Sequence, residues 1–161
     1  PGAFFFRRNA PIAKRCARIL SPTDAAYLAG LLDAEGTITL SRRHANERRQ
    51  LVVSVVSTER PLIDWILSEL GVGKVTRKRV ASTKHAPSFT YSVANRQASS
   101  VLEQTAPYLR SYKRLRARLA LQSYVALTPR NGHYTPELAA RREHFEQSFL
   151  SLKPTLPGLR T

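Results

Sequence analysis

Two carboxylates, Asp33 and Glu35, fall at the end of one predicted helix, immediately before Gly36. A carboxylate at a helix C-terminus sits at the unfavourable end of the backbone dipole. A bound cation offsets that cost directly, and hard divalent ions take oxygen ligands of this kind. The plainer alternative is an apolar helix that ends in two solvated acids. The lone Cys16 has no disulfide partner in the sequence and leaves no cysteine cluster for zinc. His44, His85, His133 and His144 are scattered, and read as surface or phosphate-facing residues.

The helix that carries the two acids has a clear start. Ser21-Pro22-Thr23-Asp24 supplies an N-cap, a proline at the first helical position and an acid three residues after the cap. Gly36 is the expected stop residue. Along this helix Ala26, Gly30 and Ala34 recur at i, i+4 and i+8. Residues so spaced share a face, and their small size makes a ridge along which another helix can approach closely.

Downstream, residues 37–42 alternate strictly: Ile38 and Leu40 on one side, Thr37, Thr39 and Ser41 on the other. That is the pattern of a half-buried strand. A second β-branched run covers 50–56, then a helix over 60–70 with Ser57 or Thr58 as its cap, ended by Gly71-Val72-Gly73. The pattern repeats with strands over 74–80 and 88–94, and Asn95 caps a helix to about Thr105. Pro107 breaks it, a helix follows over 111–127, and Thr135-Pro136-Glu137 starts a last one. Short links make the strand pairs antiparallel hairpins. The fold class predicted is α+β: helix, two strands, helix, two strands, helix, with extra C-terminal helices. Residues 1–20 read as a basic arm, 21–153 as the domain and 154–161 as a Pro-rich tail.

Charge identifies the partner class. The chain has 26 Lys and Arg against 11 Asp and Glu, a net charge of +15. Such an imbalance repels itself unless a polyanion screens it, so nucleic acid is the default partner. No stretch approaches the ~18 apolar residues of a membrane span, and the Phe4-Phe5-Phe6 run is too short for a signal peptide. No membrane partner is expected. One face of the sheet is apolar and packs on helices; the other is polar and basic. That second face carries Thr39, Ser41, Arg43, Arg48, Gln50 and Ser54 from the first hairpin. The second hairpin adds Lys74, Thr76, Lys78, Ser88, Thr90 and Ser92. A twisted ribbon of this chemistry can lie in the major groove of DNA. Arg7, Arg8, Arg42, Arg49, Arg77 and Arg79 are assigned to phosphate and loop contacts. Trp65, Tyr108, Tyr112 and Tyr124 are assigned to the core.

The stretch Leu28-Ala29-Gly30-Leu31-Leu32-Asp33-Ala34-Glu35-Gly36 resembles the signature of the LAGLIDADG homing endonucleases. It matches at Leu28, Ala29, Gly30, Leu31, Asp33, Ala34 and Gly36, and departs at Leu32 and Glu35, where Ile and Asp are expected. Gly71-Val72-Gly73 and Pro107-Tyr108-Leu109 are also similar to family landmarks. The resemblance implies a homodimer whose spine is this helix, with Ala26, Gly30 and Ala34 in the interface. It implies that Glu35 and the Ala34 carbonyl bind Mg²⁺ or Mn²⁺ for hydrolysis of double-stranded DNA at a pseudo-palindromic site. Asp33 holds the helix end. Peripheral catalytic positions fall on Ser57, shorter than the glutamine expected, and on Lys113, one place off the expected spacing, with Arg110 and Arg114 as competitors. The family also contains intron maturases, for which intron RNA is the partner, and non-catalytic DNA- or RNA-binding regulators. The retained acid at position 35 is the feature that separates an endonuclease from these. A structural RNA-binding protein would account for the charge but not for the slim ridge ending in acids.

Overall fold

A computed structural model describes residues 16–77 and 86–155. The elements run α1 (Pro22–Glu35), β1 (Gly36–Ser41), β2 (Gln50–Ser57), α2 (Arg60–Leu70), β3 (Lys74–Arg77), β4 (Phe89–Ala94), α3 (Asn95–Thr105), a 3₁₀ turn (Ala106–Tyr108), α4 (Lys113–Ser123) and α5 (Pro136–Ser151). The expected α+β order is therefore present. The strands form one antiparallel sheet in the order β1-β2-β4-β3. Lys78, Arg79, His85, residues 1–15 of the arm and 156–161 of the tail lie outside the described residues.

Period-two alternation decides which side of the sheet is buried. Ile38, Leu40, Leu51, Val53, Val55, Tyr91 and Val93 point to the helices and are buried. They meet Leu28 and Leu32 of α1, Ile63, Ile66 and Leu70 of α2, and Leu102 of α3 in one core. Removing this apolar surface from water is the main stabilising term. The end of the expected arm belongs to this core as well. Ala17 and Leu20 are buried, and their N–H groups donate to Ser100 Oγ (2.8 Å) and Gln104 Oε1 (2.7 Å).

Several local expectations need a different physical reason. Ser21 does cap α1, accepting from the Asp24 N–H at 3.1 Å. Gly36 ends that helix in extended backbone (φ −92°), not in the left-handed conformation of the usual stop residue. Glycine is needed there for space: a Cβ would lie 2.6 Å from the Leu32 Cα. Neither Ser57 nor Thr58 caps α2; the cap position is Glu59, and the Ser57 hydroxyl accepts from the Glu59 N–H at 3.0 Å. Asn95 does not cap α3 either. It is the first helical residue, at φ 57°, and its Oδ1 accepts from the Tyr124 hydroxyl at 2.8 Å. The helix expected over 111–127 is shorter, Lys113–Ser123, and just before its start the Ser111 hydroxyl and N–H are engaged by Asp33.

Candidate active site and nucleic-acid interface

The end of α1 is fixed by two residues of opposite charge. Asp33 Oδ2 accepts from the Arg110 N–H at 2.7 Å. Its Oδ1 accepts from the Ser111 N–H at 3.2 Å and the Ser111 hydroxyl at 2.6 Å. Burial alone would raise the Asp33 pKa, but these hydrogen bonds and the nearby Lys113 outweigh it and hold the carboxyl below its ordinary 3.8. Asp33 thus ties α1 to the segment that begins α4, the holding role expected of it.

Lys113 makes the second tie. Its side chain is buried, and Nζ donates to the carbonyls of Leu32 (2.7 Å) and Asp33 (2.9 Å). A cation against the last carbonyls of a helix meets the negative end of its dipole. Burial lowers the Lys113 pKa below its ordinary 10.5; Asp33 and Glu35 pull it back up, and Arg116 adds to the lowering. Lys113 therefore reaches the acidic helix end despite the one-residue offset in spacing. Of its competitors, Arg110 is exposed, and Arg114 Nε is buried without a hydrogen-bond partner.

Glu35 contrasts with Asp33. It is exposed and takes part in no hydrogen bond or ion pair among the described residues. Ala34 beside it is also exposed. Ser57 lies two residues past the Gly36–Val55 pairing and continues the inward phase of Leu51, Val53 and Val55 at the end of β2. The outward residue there is Val56, one step beyond the Gly36–Val55 pairing. The other face of α1 carries the slim ridge. Gly30 is exposed, Ala26 is half-buried, and a Cβ built on Gly30 meets nothing within 4 Å. Tyr27 next to it is 51% exposed and stands edge-on to Trp65, with ring centroids 5.3 Å apart.

The outward face of the sheet gathers the polar residues expected of it. The pairings Ser41–Gln50, Thr37–Ser54–Ser92–Lys74 and Thr90–Thr76 set them in rows across the strands. Thr39 lies in the same phase, and Ser88 just precedes β4. The side chains of Thr39, Ser41, Gln50, Ser54, Lys74, Thr76, Ser88, Thr90 and Ser92 make no hydrogen bond among the described residues. Their donors and acceptors face outward. At the hairpin end, Arg43 is exposed and Arg48 lies over the Tyr134 ring at 4.1 Å. Arg49 is not an outward contact: it donates to the Leu40 carbonyl at 3.4 Å and faces Glu146 at 3.7 Å. Tyr124 is buried as expected, whereas Tyr108 is 41% exposed. Sequence reasoning missed the apolar members of this face, Val52, Val56 and Ala94, whose outward phase follows from the same alternation.

Asp33→Ala removes all three accepted hydrogen bonds, and we expect it to lower unfolding stability by about 1–2 kcal/mol. Urea denaturation measures this. The pKa of Asp33 is depressed in the fold, so its contribution is present above pH 3.8 and is lost as pH falls through the lower folded value. The difference between wild type and variant should therefore shrink on acidification below pH 3.8. A gap that stays constant across that range rules out the ionised carboxylate as its source.

The chain matches no family model and no curated protein. Among solved structures it is similar to the homing endonuclease I-CvuI in complex with its target, at 25% identity over 87% of each chain, with a TM-score of 0.66. It is also similar to I-Vdi141I, an archaeal intron-encoded homing endonuclease complexed with DNA, at 20% identity over 86% of this chain and 87% of that one (TM-score 0.60). A third similar structure is the meganuclease I-SmaMI bound to DNA, at 16% identity over 81% of this chain and 44% of that one (TM-score 0.59). The structural neighbours are LAGLIDADG homing endonucleases, and the fold of this chain is theirs.

Proposed function

We propose that this chain, with its LAGLIDADG homing endonuclease fold, is a site-specific double-strand DNA endonuclease that acts as a homodimer with divalent metal ions. The observation that carries the reading is the state of Glu35. It is an exposed carboxylate with no hydrogen bond or ion pair among the described residues, at a helix end whose preceding carbonyls accept from Lys113. An acid left free beside an outward face of unsatisfied polar groups suits an oxygen-seeking cation and a phosphate backbone.

Glu35 and the Ala34 carbonyl are the donors that would hold Mg²⁺ or Mn²⁺, and an unengaged carboxylate is the right chemistry for either ion. When bound, such an ion supplies Lewis-acid activation of water and charge neutralisation at the phosphate. The chain's own residues do the rest. Asp33 and Lys113 hold the helix end, so that Glu35 is delivered at a fixed position. The polar rows of the sheet meet base edges and phosphates. Lys113, buried against carbonyls, acts by positioning the acidic end and by adding positive charge next to it. Ser57 is left with a local role in the turn before α2, its hydroxyl being used by Glu59.

The single acid supports the homodimer reading. The described residues bring one Glu35, and cutting both strands needs two. The outer face of α1 is slim at Ala26, Gly30 and Ala34, and otherwise apolar at Tyr27 and Leu31. A helix that is apolar all round belongs between packed neighbours. A second copy of α1 suits it, as each ridge lets the other backbone approach.

Selection of cleaved sites from a randomised duplex library tests both parts. With Mg²⁺ we expect one pseudo-palindromic sequence to be enriched, its symmetry matching that of the dimer. With EDTA we expect no enrichment. A bound but uncut site would favour the non-catalytic regulator. Enrichment that is indifferent to EDTA would remove the metal from the mechanism, and an asymmetric site would remove the symmetric dimer.

A further inference from the structure

The outward face of the sheet is not uniformly polar. Val52 stands opposite Ala94 on one side and Thr39 on the other. Val56 shares that outward phase, 41% exposed and opposite Thr90. Between the two valines on β2 lies Ser54, in register with Thr37 and Ser92. Methyl-bearing positions are thus separated by a row of hydroxyls. The core gains little from these valines, because Leu51, Val53 and Val55 supply the inward side of the same strand.

We infer that Val52, together with Ala94, and Val56 read the C5-methyl groups of thymines in the major groove. The inference rests on the proposed DNA cleavage and adds a base preference to it. Among the base edges exposed in that groove, the apolar group is the thymine methyl. A side chain without donor or acceptor discriminates there by contact with it. Hydroxyls such as Ser54 and Ser92 accept or donate, and so accommodate more than one base.

Spacing restricts the inference further. An antiparallel strand rises about 3.4 Å per residue, close to the step of about 3.4 Å per nucleotide along one DNA strand. Val52 and Val56 are four residues apart on β2, and the Gly36–Val55 pairing puts Val56 at the Glu35 end. Each half-site therefore carries two methyl-dependent positions about four base steps apart, the Val56 position nearer the cut.

The test uses the full chain and its selected site. Replacing thymine by deoxyuridine removes the methyl and nothing else. At the two positions we expect equilibrium affinity to fall about fourfold each, the size of burying one methyl group, with no change at the position between them. 5-Methylcytosine at either position should bind more tightly than cytosine by a similar factor. Val52→Ser should abolish the deoxyuridine effect at the outer position and leave the inner one intact. A selected, cleaved site at which deoxyuridine is silent throughout overturns the methyl readout and leaves the nuclease standing. Failure to select any site overturns the nuclease reading and, with it, the readout. The deoxyuridine arms need no protein variant, so a poorly folding mutant does not blunt the test.

Discussion

Glu35→Gln is expected to slow Mg²⁺-dependent cleavage of the selected site by at least about 10³-fold while leaving DNA affinity within about twofold. The amide keeps the size of the side chain and one oxygen, but not the charge that draws a cation. Glu35 is exposed and makes no hydrogen bond or ion pair among the described residues, and the buried Lys113, whose charge it favours, keeps Asp33 and two carbonyl acceptors when it is replaced. Stability should therefore change by no more than about 0.5 kcal/mol, as for other surface substitutions. Single-turnover nicking and a gel-shift titration on the same preparation separate chemistry from binding. Glu35→Asp retracts the carboxylate by one methylene and should still cut. A Glu35→Gln protein that cleaves at the parent rate would place the chemistry elsewhere.

Arg142→Ala should be the most damaging single change to stability, about 3–5 kcal/mol by urea denaturation. Arg142 is 1% exposed and yet charged. Its Nε donates to Glu146 (3.1 Å), its Nη2 to the Arg49 carbonyl (2.7 Å) and its Nη1 to the Thr128 hydroxyl. The guanidinium also lies over the rings of Tyr124 (4.6 Å) and Phe145 (5.4 Å). Among the described residues, truncation leaves Glu146 facing only Arg49, at 3.7 Å. Removing the pair together should harm less, since buried ion pairs are often replaceable by apolar groups of similar size. Arg142→Met with Glu146→Leu is therefore expected to be more stable than Arg142→Ala alone. If the double variant is the worse of the two, the ion pair contributes more than its own desolvation costs.

Legibility in the sequence followed the strength of local rules. The outward face was readable where polar residues mark it, as at Thr37, Thr39 and Ser41 of β1 and Thr90 and Ser92 of β4, because side-chain direction in a strand is fixed by position; in β2 the outward Val52 and Val56 are as apolar as their inward neighbours and were missed. The start of α1 was readable because Ser21 and Pro22 both mark it. Arginine roles were not readable, because a charge count does not say where a guanidinium points. Arg142 and Arg49 resemble phosphate contacts in sequence, yet they hold α5 to the β1–β2 hairpin. Arg116 likewise donates to the carbonyls of Ile38 (2.8 Å) and Leu152 (2.9 Å). Ala17 and Leu20 were lost in a segment read for its five basic residues, although two apolar residues three apart were the available signal. Asn95 looked like a cap, but its side chain is recruited by Tyr124, 29 residues away in sequence. Such tertiary partners override local preference, and only the folded chain reveals them.

The ties from Asp33 and Lys113 run from α1 to the start of α4 and bypass the sheet surface altogether. Substitutions on that surface can therefore accumulate without loosening the acid. On the proposed nuclease reading, a lineage built this way drifts to a new genomic address while its cutting edge stays in register, and an engineer can redraft the address by the same route.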